Sequence, residues 1–290
     1  MWLGAGASKV NEWIEGWTMI KLVVSDLDET LVGPTGVSEV NIQAIKKAAA
    51  LGVKFVPNTG RGFQSVQPLL EQLGLRDQPD EYVISYNGGA IVENRGCQVL
   101  QVNALSMEQA TQIFDVVKQR LDYTTHIYTL DHVYVYNPDP EDNAYMTGRG
   151  VKVEEYPYKT LAPLENQPII KIITMNRDPE KREAIRKEVL ANVDFDLNAT
   201  FSSNRYTEFN LGGVDKGKAT LALAKRLGIQ KDEIMALGDN NNDIAMLSQV
   251  GLPVVVANAT ADARRVAKHV TQGDFTSGVA EAIHQFILGD

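Results

Sequence analysis

Ile20-Lys21-Leu22-Val23-Val24-Ser25-Asp26-Leu27-Asp28-Glu29-Thr30-Leu31 is the stretch on which the reading of this chain turns. It opens with a short, β-branched apolar run, long enough for one strand and too short for a globular helix. Such a run suits the buried middle of a parallel sheet. Two carboxylates, Asp26 and Asp28, follow at its C-terminal end, with Thr30 behind them. Residues two apart in extended chain point the same way. Both acids can therefore face the crevice beyond the sheet's carboxyl edge, where open α/β sheets bind ligands. A bare pair of aspartates spaced by one residue is more often a surface turn. The strand leading into this one argues for chemistry instead. A divalent cation such as Mg²⁺ takes one or two carboxylates, water and substrate phosphate, and a carboxylate can itself attack phosphorus.

Working outward, the chain continues as strand, helix, strand. Ser38 caps a helix through Val40, Ile42, Ala44 and Ile45 that ends near Gly52. Val53–Val56 reads as the next strand, with Asn58-Thr59-Gly60-Arg61 at its end. A βαβ crossover puts both strand ends on one edge, so Thr59 is expected beside the aspartates, its hydroxyl and the neighbouring amides forming an anion site. A helix through Val66–Leu73 and a strand Tyr82–Ser85 follow. From Asn87-Gly88-Gly89 the rhythm changes to strand-like segments at 90–92, 99–102, 124–129, 133–136 and 169–175, with helices at 106–121 and 179–190. Hairpins with helices on one side predict a separate α+β layer, which holds most of the ten tyrosines. Gly88-Gly89 and the polar run Asn198–Asn204 are candidate linkers. The βα rhythm returns at Lys216-Gly217, with a helix to Leu227, strands at 234–237 and 254–256, and a closing helix over 278–288.

The strand at 234–237 runs into Gly238-Asp239-Asn240-Asn241-Asn242-Asp243. Four residues apart on a helix, Asp239 and Asp243 would share one face. Beside Asp26 and Asp28 they make four carboxylates at two strand ends, which repel unless a cation sits among them. Lys216 supplies a positive point charge for a phosphate.

Composition bounds the rest. The 290 residues allow one large domain or two smaller ones, and 44% hydrophobic with 22% charged residues is ordinary for a globular protein. A net charge of −9 argues against a nucleic-acid partner. One cysteine, Cys97, excludes an internal disulfide and suits the reducing cytoplasm. The four histidines show no metal-ligand spacing. No apolar run approaches the roughly 20 residues a membrane helix needs, so no membrane partner is expected. Residues 1–18 hold all three tryptophans and are expected to be a dispensable leader, Met19 being a natural start. The alternative is an amphipathic docking segment through Trp13, Ile14 and Trp17.

Asp26-Leu27-Asp28-Glu29-Thr30, Thr59-Gly60-Arg61, Lys216-Gly217 and Gly238-Asp239 with Asn242-Asp243 together resemble the four motifs of the haloacid dehalogenase (HAD) superfamily, in order and in strand-end placement. The long insertion between Thr59 and Lys216 is similar to that of the C2B-capped, Cof-type subfamily. The resemblance implies a Rossmann-like three-layer α/β core with a mostly parallel sheet, over 19–86 and 211–290, plus an inserted α+β cap over 87–210. It implies a Mg²⁺-dependent phosphatase acting on a small phosphorylated metabolite, such as a sugar phosphate or a nucleotide-like cofactor. Asp26 would be the nucleophile, giving an aspartyl-phosphate, and Asp28 the general acid and base, its pKa raised by Asp26. Asp26, the Asp28 carbonyl and Asp239 would hold Mg²⁺, and Asp243 would hold metal-bound water or orient Lys216. Thr59, Gly60, Lys216 and Asn242 would cradle the phosphoryl group. Arg61, Asn87 and Arg205 are candidates for the substrate's remainder. A phosphomutase and a non-catalytic metabolite sensor on the same scaffold are the alternatives, and a monomer or homodimer is expected. Two positions depart from the family pattern: Glu29 stands where glycine is usual, and Asn58 where a small residue is common.

Overall fold

A computed structural model describes residues 19–289; the expectations for residues 1–18 lie outside the described residues. The chain begins with β1 (Leu22–Ser25), a small hairpin of β2 (Val32–Gly33) and β3 (Gly36–Val37), α1 (Glu39–Ala50), β4 (Lys54–Pro57), α2 (Gln67–Leu73) and β5 (Tyr82–Ser85). Next come β6 (Ala90–Glu93) and β7 (Gln98–Val102). The inserted stretch runs α3 (Met107–Val117), β8 (Thr124–Thr129), β9 (Val133–Tyr136), α4 (Pro140–Gly148), β10 (Val153–Glu155), β11 (Ile169–Met175), α5 (Pro179–Asn192), β12 (Leu197–Ser202) and β13 (Tyr206–Leu211). The last part is α6 (Lys216–Leu227), β14 (Ile234–Gly238), α7 (Ile244–Leu247), β15 (Leu252–Val255), α8 (Ala261–Val266), β16 (His269–Val270) and α9 (Gly278–Ile283).

Five strands form an all-parallel sheet in the order β16-β15-β14-β1-β4. Side-chain alternation splits each strand between two cores. Leu22, Val24, Ile234 and Ala236 pack with Leu223 and Ala224 of α6. Val23, Met235 and Leu237 pack with Ile42 and Ile45 of α1 and Ile283 of α9. Helices on both faces make the three layers expected. From β1 the chain winds outward to β4 and later returns to β14 on the other side of β1. The C-terminal ends of β1 and β14 thus flank the topological switch point, where such sheets bind ligands.

A second sheet, β10-β9-β8-β11-β13-β12, is antiparallel apart from its β9–β10 edge. One face carries Ile127, Ile172 and Phe209 against Ile113, Phe114 and Val117 of α3 and Ile185 and Val189 of α5. Residues of the opposite parity, among them Tyr128 and Ile173, join the core that contains Phe63 and Tyr86. Tyr86 meets Phe63 and Tyr128 edge to face, at centroid distances of 6.5 and 6.3 Å, an arrangement aromatic quadrupoles favour. The inserted sheet therefore lies with one face over the parallel sheet's ligand edge.

Three local expectations are corrected. Asn198–Asn204 is no linker: Leu197–Ser202 pairs with β13 as an edge strand, and Ser203 and Asn204, both at φ of +51°, make the hairpin turn. Its polarity reflects its place at the rim. Gly88-Gly89 belongs to a tight left-handed turn, with Tyr86 and Asn87 also at positive φ, leading straight into β6. A Cβ at Gly88 would lie 2.4 Å from the Asp215 carbonyl oxygen, so this turn is wedged against the start of α6. The strands at 90–102 form a meander with β5 rather than joining the inserted sheet.

Candidate active site

β1 delivers Asp26 to the switch point, where its amide donates to the Leu237 carbonyl of β14 (2.9 Å). β14 delivers Asp239. The expectation of one helix face for Asp239 and Asp243 is corrected, because residues 241–243 form a single tight turn. Asp243 folds back, and its Oδ2 accepts the Asp239 and Asn240 amides, each at 3.0 Å. Gly238 permits this, since a Cβ there would sit 2.6 Å from the Asp243 Cβ.

Lys216 opens α6 and is fully buried. Its Nζ donates to Asp26 Oδ1 (2.5 Å) and to Asp243 Oδ1 (2.7 Å). Oxygens of Asp26, Asp239 and Asp243 lie within 4.8 Å of one another. Thr30 Oγ1 donates to Asp239 Oδ1 (2.7 Å). Burial pushes the Asp26 carboxyl up to about 8, against the pull of Lys216 and with Asp243 adding to it. Burial, with Asp243 beside it, likewise pushes Asp239 up to about 7 despite the Thr30 bond. Burial disfavours the Lys216 ammonium, yet Asp243 and Asp26 hold its pKa above the ordinary value.

Three buried acids around one lysine leave an excess of negative charge, and their oxygens are hard donors. The set fits Mg²⁺. Asp243 already has both oxygens engaged, whereas Asp26 and Asp239 each have one oxygen with no protein donor among the described residues.

Asp28 stands apart from this cluster. Arg61 grips both its oxygens, Nε at 2.9 Å from Oδ2 and the second contact to Oδ1. Its immediate electrostatic partner is thus a cation, not Asp26 as the sequence suggested. Glu29, next along, sits at φ of +63°, the region where glycine is at ease. The Asn258 side chain braces this turn by donating to the Glu29 carbonyl (2.7 Å). Thr59 is buried, and its Oγ1 accepts the Arg61 amide (3.1 Å). The Asn87 amide donates to the Thr59 carbonyl (2.9 Å), and its side-chain Oδ1 is buried without a partner. A Cβ at Gly60 would approach the Asn87 side-chain amide to 3.2 Å. Asn242 is exposed in the 241–243 turn. Arg205 lies on the Tyr145 ring of α4, its Cζ 3.8 Å from the centroid.

Sequence reasoning gave no role to three residues that the fold places here. Asn58 Nδ2 donates to the Lys216 carbonyl (3.0 Å) and Thr220 Oγ1 (3.1 Å), tying β4 to the first turn of α6. Lys171 of β11 reaches from the inserted sheet to the Gly60 carbonyl (3.2 Å) while pairing with Glu208 (2.7 Å). Arg149, just past α4, comes within 3.8 Å of Asp28. For Lys171 a signal existed: one charge inside the apolar run Ile169–Met175 demands a buried partner.

Residues 23–283 match the model of the haloacid dehalogenase-like hydrolases. The chain belongs to that family. Among its HAD relatives, a protein of Streptococcus pyogenes serotype M6 provisionally named as a phosphatase is 30% identical, over 93% of this chain and 99% of its own. The 5-amino-6-(5-phospho-D-ribitylamino)uracil phosphatase YcsE of Bacillus subtilis is 27% identical, over 93% and 96%. Among solved structures, the sugar phosphatase BT4131, described as HAD subclass IIB, superposes with a TM-score of 0.77 at 21% identity, covering 92% of this chain and 98% of that one. That likeness carries the fold, the inserted layer included.

Proposed function

We propose that this HAD-family phosphatase hydrolyses phosphomonoesters of small metabolites through an aspartyl-phosphate on Asp26, with Mg²⁺ bound by Asp26, the Asp28 carbonyl and Asp239. The observation that carries the reading is the buried ammonium of Lys216, which joins Asp26 and Asp243 from opposite ends of the chain. Bound there, Mg²⁺ would supply charge neutralisation for the phosphoryl oxygens.

The protein groups divide the remaining work. Lys216 holds Asp26 through Oδ1 and so sets the direction from which this carboxylate attacks phosphorus. The Thr59 oxygen accepts from the Arg61 amide, so its own proton is available to a phosphoryl oxygen. Gly60, with no side chain, lets its amide approach the same group, and Asn242 extends the cradle from the 241–243 turn. Donors preorganised in this way supply most of the stabilisation in phosphoryl transfer. Asp243 is a positioning residue, holding Lys216 and the Asp239 loop. Asp28, paired with Arg61, is presented as an acceptor. That is the state needed when it takes a proton from the water that hydrolyses the intermediate. Protonating the leaving oxygen in the first half-reaction requires a proton on Asp28, and so a loosened contact with Arg61.

The named substrates of the relatives, a phosphoribitylamino-pyrimidine and sugar phosphates, set the panel to screen. Purified protein should release inorganic phosphate from at least one member with Mg²⁺ and stop when EDTA is added. No release from any member, or release indifferent to EDTA, would overturn the reading.

A further inference from the structure

Three guanidiniums gather at the mouth of the site in a protein of net charge −9. Arg61 takes both oxygens of Asp28. Arg149 is left 3.8 Å from that carboxylate, and its hydrogen bond goes instead to the Tyr145 hydroxyl (2.6 Å). Arg205 has Asp142 3.9 Å away, beyond hydrogen-bonding reach. The Asp142 Oδ1 atom, the one nearest Arg205, already accepts from the Tyr206 hydroxyl (2.7 Å), and its Oδ2 is turned toward His126, 2.7 Å from Nε2. Both guanidiniums pack on the ring of Tyr145, at 4.8 Å for Arg149 and 3.8 Å for Arg205. Their side chains keep 41% and 23% of their exposure, so both remain reachable from solvent.

A ring packed against a guanidinium restrains its position, and the planar fork matches a carboxylate or phosphate two bonds at a time. Neither Arg149 nor Arg205 has a carboxylate at hydrogen-bond distance among the described residues. The phosphoryl group being transferred is already provided for by Lys216, Thr59 and Gly60. A second anion is what this pair lacks.

We infer that Arg149 and Arg205, held on Tyr145, bind a second anionic group, phosphate or carboxylate, carried by the leaving group of the substrate. The inference rests on the phosphatase reading and narrows its substrate class to phosphomonoesters with a second anion.

Phosphate release tests it with paired probes: fructose 1,6-bisphosphate against fructose 6-phosphate, and 6-phosphogluconate against glucose 6-phosphate. p-Nitrophenyl phosphate reports basal chemistry. At least one anionic member should exceed its neutral partner in kcat/KM by about tenfold, the worth of one charge-assisted hydrogen bond. The pair that does so identifies the anion as phosphate or carboxylate. Arg149→Gln and Arg205→Gln should each shrink that ratio, chiefly through KM, with p-nitrophenyl phosphate turnover falling far less. Ratios near one, or ratios both variants leave unchanged, would overturn the inference alone. Absence of turnover on every probe would overturn the phosphatase reading, and this inference with it.

Discussion

At the scale of single residues, the site is a concentration of charge that the fold maintains at a cost. Asp26 and Asp239 stand at about 8 and about 7, against an ordinary 3.8, because burial and Asp243 disfavour their ionised forms. A group whose pKa rises on folding binds protons that the unfolded chain has released. Its contribution to stability is fully present below about pH 4 and is lost as pH rises through 7 and 8. A divalent cation opposes that loss by favouring the ionised forms. The rise in thermal midpoint on replacing EDTA with Mg²⁺ should therefore grow between about pH 5.5 and pH 8. A shift that is absent, or the same at both pH values, would contradict the metal assignment. Lys216 was legible in the sequence as one of four motifs, with Asp243 offered by the resemblance as a group that could orient it. Spacing does not reveal that the same amine also takes Asp26, nor that Arg61 would take Asp28 away from the cluster.

At the scale of elements, the first turn of α6 decides where Lys216 points. It is pinned from three sides: by Asn58 at the end of β4, by the left-handed turn at Gly88, and by α7. A Cβ on Gly217 would lie 2.3 Å from the Ala245 carbonyl oxygen and as close to the Gln249 side chain. Gly217→Ala should cost about 1–3 kcal/mol in urea unfolding, as overpacking does, and should lower kcat by pushing Lys216 out of register. Unchanged stability and kcat would show that the contact with α7 does not set the lysine. The elements differ in how plainly they announce themselves. β9 and β11 fall where their apolar runs predict, and β8 where its β-branched and aromatic residues do. β12 was hidden because a rim strand needs few apolar residues. α4 was hidden because its buried positions are Asp142 and Met146, one of them a carboxylate held by the Tyr206 hydroxyl and facing His126. Short range decides the first group; partners far along the chain decide the second.

At the scale of the whole molecule, function depends on two layers meeting over one crevice. The buried Lys171–Glu208 pair lies at that meeting, with Lys171 also donating to Gly60 beside Thr59. Burial works against the Glu208 charge, yet Lys171 keeps its carboxyl below the ordinary range. Removing one member strands the other, so Glu208→Leu alone should cost about 3–5 kcal/mol. Lys171→Met with Glu208→Leu together should cost less than the single change, by urea unfolding. Additive costs would mean that the two do not act as a pair. The central claim, that the acids, the lysine and the threonine act together through a nucleophilic Asp26, is met most directly by Asp26→Asn. That protein should keep its thermal midpoint within a few degrees while phosphate release falls at least roughly a thousandfold. A folded Asp26→Asn protein that still turns over at the parent rate would contradict it.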